Sequence, residues 1–314
     1  MSLPLYIDKI NVAEKVNATR VSKMSRGTIN EYVSLFSQLY HFLAYSIKKP
    51  KMQLEKGMFI ISVDVDVGSR ELGVINEGKN DENLVKHMSE YRVGEIDEVA
   101  FHLFLETFND FEIPVTFAVR GQLTEVNNSI LESLLKSSVE HDIGAHGYSH
   151  REFSNLTRNE AETELNLISK GMKKFGIIPR SFVFPRGGLA HLDLLERYRY
   201  KCYRGVGDFM NDCMCIEKQG RLYNVHPSLY LDRSISSMFL TKILDVAIAK
   251  KLPLHIWFHL WNFGETEGSI HKTINKIFFP LLKYVKKKER SGLLDVETML
   301  SATNQVKKLS DSPS

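Results

Sequence analysis

The sequence predicts an α/β protein: a distorted or incomplete (β/α) barrel of about seven parallel strands, with an added N-terminal helix. Three observations predict it. From Met58 onward, short apolar runs alternate with longer stretches of helical periodicity. The first run, Phe59–Val67, is apolar at every odd position and turns polar at Ser62, Asp64 and Asp66. The residue types able to do chemistry fall at the C-terminal ends of predicted strands, where β/α barrels place their active sites. An open doubly wound sheet is the alternative reading of the same alternation.

A chain of 314 residues can bury a large core, as one big α/β domain or two modest ones. The net charge of +3 is small, and no basic stripe is interleaved with exposed aromatics, so no nucleic-acid partner is expected. The basic run at 283–290 reads as a solvated helix face. Cys202, Cys213 and Cys215 have no paired spacing, which argues against a disulfide framework and a zinc ribbon. Read as reduced thiols, and with no signal-length apolar stretch at the N-terminus, they lead to an expected cytoplasmic location. No segment reads as a transmembrane span. A homo-oligomer is compatible with the sequence but not indicated by it.

Residues 1–56 read as an N-terminal helical extension. Thr28-Ile-Asn-Glu31 has the capping-box pattern. After it, Ile29, Tyr32, Val33, Phe36, Leu39, Tyr40, Leu43 and Ile47 form one apolar stripe at helical spacing. The stripe is expected to pack on the main domain. A partner or a membrane surface, giving peripheral association, is its other target. Residues 48–56 read as a polar connector. The main domain spans 57–309, and 310–314 reads as a disordered tail. Within the domain, strands are predicted at 58–66, 114–119, 142–145, 181–184, 201–204, 222–225 and 254–259. Helices are predicted at 96–110, 128–138, 158–174, 190–199, 237–250, 270–287 and 296–308, the third opened by a capping box at Thr157–Glu160.

Asp64 and Asp66 share one side of the first strand, about 7 Å apart along the backbone. Two uncompensated carboxylates there would repel, and a cation would relieve them. One could then ligate the metal while the other stays free as a base. The bland alternative is a pair of loop caps or an Arg partner. His146 and His150 follow a short strand, and a four-residue spacing puts both rings on one side if the segment is a helical turn. Pro185-Arg186-Gly187-Gly188 ends the fourth strand, where glycines let backbone N–H groups approach a ligand. His259 ends the last strand on the face shared by His255, Trp257 and Trp261, and is suited to protonating a leaving group. The two tryptophans either wall a pocket or pack in the core.

Taken in order, these residues resemble the polysaccharide deacetylase family, also called carbohydrate esterase family 4 or the nodulation-factor deacetylase homology domain. The resemblance runs from roughly Met58 to Gly264. Ser62-Val-Asp-Val-Asp-Val-Gly68 stands where the family has T-F-D-D-G, with an extra residue between the acids. That spacing is similar to a divergent branch of peptidoglycan deacetylases and allantoinase-like enzymes. Residues 113–121, ending in Arg120-Gly121, look like the second strand, and His146 and His150 match the H-x-x-x-H motif. Val183 occupies the usual place of the third motif's arginine, and Arg186 follows the proline instead. The Asp of the fourth motif has no clear match, with Asp208 and Asp212 as candidates.

The resemblance implies one divalent metal on Asp66, His146 and His150. Zinc is the default, and cobalt, manganese and iron fit similar donors. It implies Asp64 as base, His259 as acid, the Arg186 N–H as oxyanion donor, and an N-acetylated sugar or glycan as substrate. Arg120, Gly187, Trp257 and Trp261 are the expected substrate contacts. Three rival readings share this site. They are an amidohydrolase acting on a small cyclic amide or ureide, a non-catalytic carbohydrate-binding relative, and a glycosidase using Asp64 and Asp66 as its acid pair.

Overall fold

The computed structural model describes residues 40, 43–47, 52, 54–67, 90–205 and 214–311, with backbone alone at 90–95 and 307–311. The chain divides into two compact units, Met1–Lys48 and Lys49–Ser314. In the first, residues 43–47 are helical. Its predicted cap at Thr28, and also Gly68, Asp208, Asp212 and Cys213, lie outside the described residues. The division falls at the start of the stretch read as a polar connector. Part of that stretch belongs to the main unit, because Leu54 is buried in its core and donates its N–H to the Lys251 carbonyl at 2.9 Å.

The second unit runs β1 (Gly57–Val65), α1 (Glu90–Asp110), β2 (Thr116–Val119), α2 (Leu123–Val126), α3 (Asn128–Leu135), β3 (Asp142–Ala145), α4 (Arg158–Lys173), β4 (Ser181–Val183), α5 (Leu192–Arg197) and β5 (Cys202–Arg204). It continues through β6 (Ile216–Gln219), β7 (Leu222–Val225), β8 (Leu229–Tyr230), α6 (Ser237–Lys250), β9 (Pro253–His259), α7 (Glu267–Thr273), α8 (Phe279–Arg290), β10 (Leu294–Glu297) and α9 (Met299–Asp311). The strands form one sheet in the order β6-β7-β5-β4-β3-β2-β1-β9-β8. All pairings are parallel except the β6–β7 hairpin. This is the distorted, incomplete (β/α) barrel the sequence predicts.

Among the described residues the sheet has ten strands rather than about seven, because β6, β8 and β10 join those predicted. Each is too short or too polar to carry a period: β6 reads Ile-Glu-Lys-Gln and β8 is two residues. β10 reads Leu-Asp-Val-Glu, and its second half was expected to open the last helix. It is a strand because β1 gives it an edge. β9 lies along one side of β1, while the other side is shared, with β10 on Gly57–Ile60 and β2 on Ser62–Val65. The helix predicted at 270–287 is interrupted by a π turn, Ile274–Phe278. Pro280 follows that turn and has no N–H to give to the α-helical ladder. The last helix reaches Asp311, beyond the boundary drawn at 309.

Strand alternation sorts the side chains of β1 into two layers. Outward, Phe59, Ile61, Val63 and Val65 are fully buried beneath the helices. There Phe104 of α1 meets Phe258, Phe263 and Phe278 at ring-centroid distances of 4.9–5.2 Å, tilted or edge to face. Inward, Met58 and Ile60 join Ala118, Val183, Cys202, Tyr223 and Val225 in an apolar floor closed by Met299 and Ala302 of α9. Asp142 docks that helix. Its buried carboxylate accepts from Thr116 (2.9 Å) and Ser181 (2.6 Å), and Thr116 Oγ1 accepts the Met299 N–H at 2.8 Å. Above this floor the same inward rows turn polar.

Candidate active site

β1 and β9 pair in register with Ile60 opposite His255, Ser62 opposite Trp257 and Asp64 opposite His259. Partners across a parallel pair face the same way, so these six side chains form one inward column rising from the floor to the mouth. Asp66 follows directly after β1 and is buried.

His146 leaves the end of β3 with its N–H on the Val119 carbonyl at 3.0 Å. Its ring Nδ1 lies 2.9 Å from the Val183 carbonyl, which can only accept, so Nδ1 carries the proton. Nε2 is then a bare lone pair, buried and without a hydrogen-bond partner. Between His146 and His150 the chain is a loop, not the helical turn that the spacing allowed. Gly147 has φ +64, and a Cβ there would lie 2.8 Å from the Pro185 ring. His150 also takes a left-handed φ of 62. Buried Glu164 of α4 holds the loop by accepting from the N–H groups of Tyr148 (2.7 Å) and Ser149 (2.9 Å) and from the Ser149 hydroxyl (2.5 Å). The two imidazoles end 4.9 Å apart.

Donor atoms of Asp66, His146 and His150 all lie within 4.8 Å of one another, and this is the cluster among the described residues able to hold a metal ion. The surroundings fit a cation. Burial, then the charges of Asp64 and Asp97, push the Asp66 carboxyl well above its usual range. Burial first of all pushes both imidazoles down, so each is neutral and competent as a ligand. The positive charge of Arg186 adds to the depression at His150.

Asp64 is not a free carboxylate but has an arginine partner, the alternative its sequence context left open. Arg204, at the end of β5, donates Nη2 to its Oδ2 at 2.6 Å. His259 Nε2 stands 3.6 Å and His146 Nε2 3.9 Å from the same oxygen. Burial opposes ionisation, but the Arg204 guanidinium outweighs it and holds the carboxyl well below the usual range. Oδ1 remains buried with no hydrogen-bond partner. Arg204 also stacks on Trp257, its guanidinium carbon 4.3 Å from the ring centroid. Sequence reasoning did not single it out. The signal was an arginine ending an otherwise apolar strand, while Val183 ends the neighbouring β4 where the family has its own arginine.

His259 sits in an aromatic box. Trp261 stacks on it at 4.3 Å and 19°, Trp257 lies at 5.4 Å and Tyr230 at 5.9 Å. The Tyr230 hydroxyl is 3.5 Å from His259 Nδ1 and receives an N–H from Asn262. Arg186 is exposed in the turn Pro185–Gly187 with φ 54, and Gly187 follows with φ 73. Arg120, an expected substrate contact, is fully buried, donating to the Val67 carbonyl at 2.7 Å and to Gln122 at 3.0 Å, and so braces the chain just after Asp66.

Residues 97–202 match the family model of polysaccharide deacetylases. No curated protein matches the sequence. Among solved structures, a putative polysaccharide deacetylase from Mycobacterium smegmatis superposes with a TM-score of 0.63 at 14% identity, covering 85% of this chain and 95% of that one. The allantoinase PuuE gives 0.60 at 10% identity, covering 82% and 97%. A probable polysaccharide deacetylase from Pseudomonas aeruginosa PAO1 gives 0.57 at 10%, covering 79% and 90%. At these identities the likeness speaks for the fold. It is the fold that the resemblance implied.

Proposed function

We propose that the protein is a metal-dependent hydrolase that removes N-acetyl groups from an amino sugar in a polysaccharide or glycan precursor. The observation that carries this is the convergence of the Asp66–His146–His150 donors on the Asp64 carboxylate and His259, at the mouth of a deacetylase-type barrel. A divalent cation on those donors, zinc by the chemistry of the set, would supply Lewis-acid polarisation of the amide and acidify a water.

The chain's own residues do the rest. Asp64 offers Oδ1 to take the proton of the attacking water, because Oδ2 is held by Arg204. The N–H of Arg186, in its left-handed turn, is the proposed donor to the oxygen that gains charge. His259, with Nε2 aimed at the same space, gives a proton to the departing amine. Trp257, Trp261 and Gly187 line the approach, and the tryptophan rings suit the apolar face of a sugar.

Elemental analysis of the purified protein, paired with acetate release from N-acetylated sugars before and after chelation, tests the reading. About one equivalent of metal and chelator-sensitive acetate release are expected. Ring opening of a small cyclic amide without acetate release would move the assignment to a related amidohydrolase. Glycan binding with no release would make it a binding protein. Full activity after metal removal would favour a glycosidase.

A further inference from the structure

Beneath Asp64 lies a buried chain of polar groups of which the proposed chemistry uses Arg204 alone. Arg204 donates Nη1 to Ser62 Oγ at 2.8 Å, Ser62 Oγ lies 2.8 Å from His255 Nε2, and His255 Nδ1 lies 3.2 Å from the Val225 carbonyl. Ser62 and His255 are fully buried and Arg204 is 6% exposed. The two ends dictate the direction of every bond. A guanidinium can only donate, so Ser62 accepts from Arg204 and turns its own proton to His255. A carbonyl can only accept, so His255 carries its proton on Nδ1 and presents Nε2 as acceptor. Burial, then the nearby charge of Arg204, lower the His255 pKa to about 3, in keeping with a neutral ring. The Ser228 hydroxyl, on the far side, receives the His255 backbone N–H at 3.0 Å and fixes that residue's place.

We propose that Ser62 and His255 are positioning residues: a one-way hydrogen-bond relay that clamps one edge of the Arg204 guanidinium so that its other edge grips Asp64 Oδ2 and leaves Oδ1 for the reaction. The proposal rests on the assignment of Asp64 as base. Two unlike contacts hold Arg204 in plane, the relay at one edge and the Trp257 ring across its face. Without the relay, the stack alone permits the guanidinium to slide and Asp64 to turn with it.

The test has two arms. In the metal-loaded full chain, Ser62→Ala and His255→Leu should each lower kcat about 10- to 100-fold, the scale of a small misplacement of a reacting group. KM and metal stoichiometry should stay within roughly twofold. His255→Gln, whose amide can accept from Ser62 and donate to Val225, should recover most of kcat. The double variant should fall no further than the worse single one, because both cut the same chain. Equal losses in His255→Leu and His255→Gln, or additive losses in the double variant, would overturn the relay. The second arm needs no substrate. Nitrogen NMR of the wild-type chain should show His255 as the neutral Nδ1–H tautomer, unchanged from about pH 5 to 9. The opposite tautomer, or titration in that range, would overturn the relay even if every variant misfolds. Failure of the wild type to release acetate would sink the deacetylase reading and leave the tautomer result standing.

Discussion

The floor and the mouth of the barrel are built from the same inward rows of the same strands, yet they behave as opposite materials. On β1, Met58 and Ile60 face a dry cluster closed by Met299 and Ala302, while Ser62 and Asp64, one step further along, face arginine and histidines. Floor residues can exchange volume with their neighbours, and their loss is felt as a cavity. Mouth residues are tied by directional bonds, and their loss would be felt as a misplaced candidate site. About two residues of strand separate the apolar floor from that site. The apolar floor also lowers the local dielectric and so strengthens the pairing of Asp64 with Arg204.

The sharpest way to break this contrast is at the donor set. His146→Ala or His150→Ala should remove bound metal, seen by elemental analysis, and cut acetate release by about 10³-fold or more, with the fold kept in circular dichroism. Next comes Asp64→Asn. It should retain the metal and lose about 10²- to 10⁴-fold in turnover, and near-normal turnover in this variant would dismiss Asp64 as the base. On the floor the balance reverses. Ile60→Ala should cost about 2–5 kcal/mol in denaturant unfolding while kcat per folded molecule stays close to wild type. The mildest probe joins the two. Gly147→Ala strains a left-handed residue against Pro185 and should cost about 1–3 kcal/mol, with weaker metal affinity by titration as His146 and His150 shift apart.

Much of this contrast was legible in the sequence. Alternation along Phe59–Val67 placed Asp64 on the inward face, and the run from His255 to Trp261 placed His259 beside it. Such periodicity is local, and so is the His-x-x-x-His spacing. What spacing could not say is whether a loop or a helix carries the pair. Gly147 was the available hint of a loop, and Glu164, which fastens it, comes from a helix beginning eight residues after His150. Arg204 was missed because its meaning depends on a partner 140 positions earlier in the chain. The burial of Arg120 was illegible for the same reason, because the carbonyl it braces belongs to Val67, 53 positions earlier. β10 has no period of its own and exists as a strand because β1 offers half an edge.

That shared edge has a consequence for synthesis. β1 is among the first described parts of the main unit to emerge from a ribosome, but its first half is seated only when β9 and β10 arrive, about 200 and about 240 residues later, at Pro253–His259 and Leu294–Glu297. Until then the backbone of Gly57–Ile60 has no neighbour on either side, and β2 alone, along Ser62–Val65, holds the strand in register. A chain cut short before Leu294 would leave half of that edge bare, an invitation to pair with another molecule.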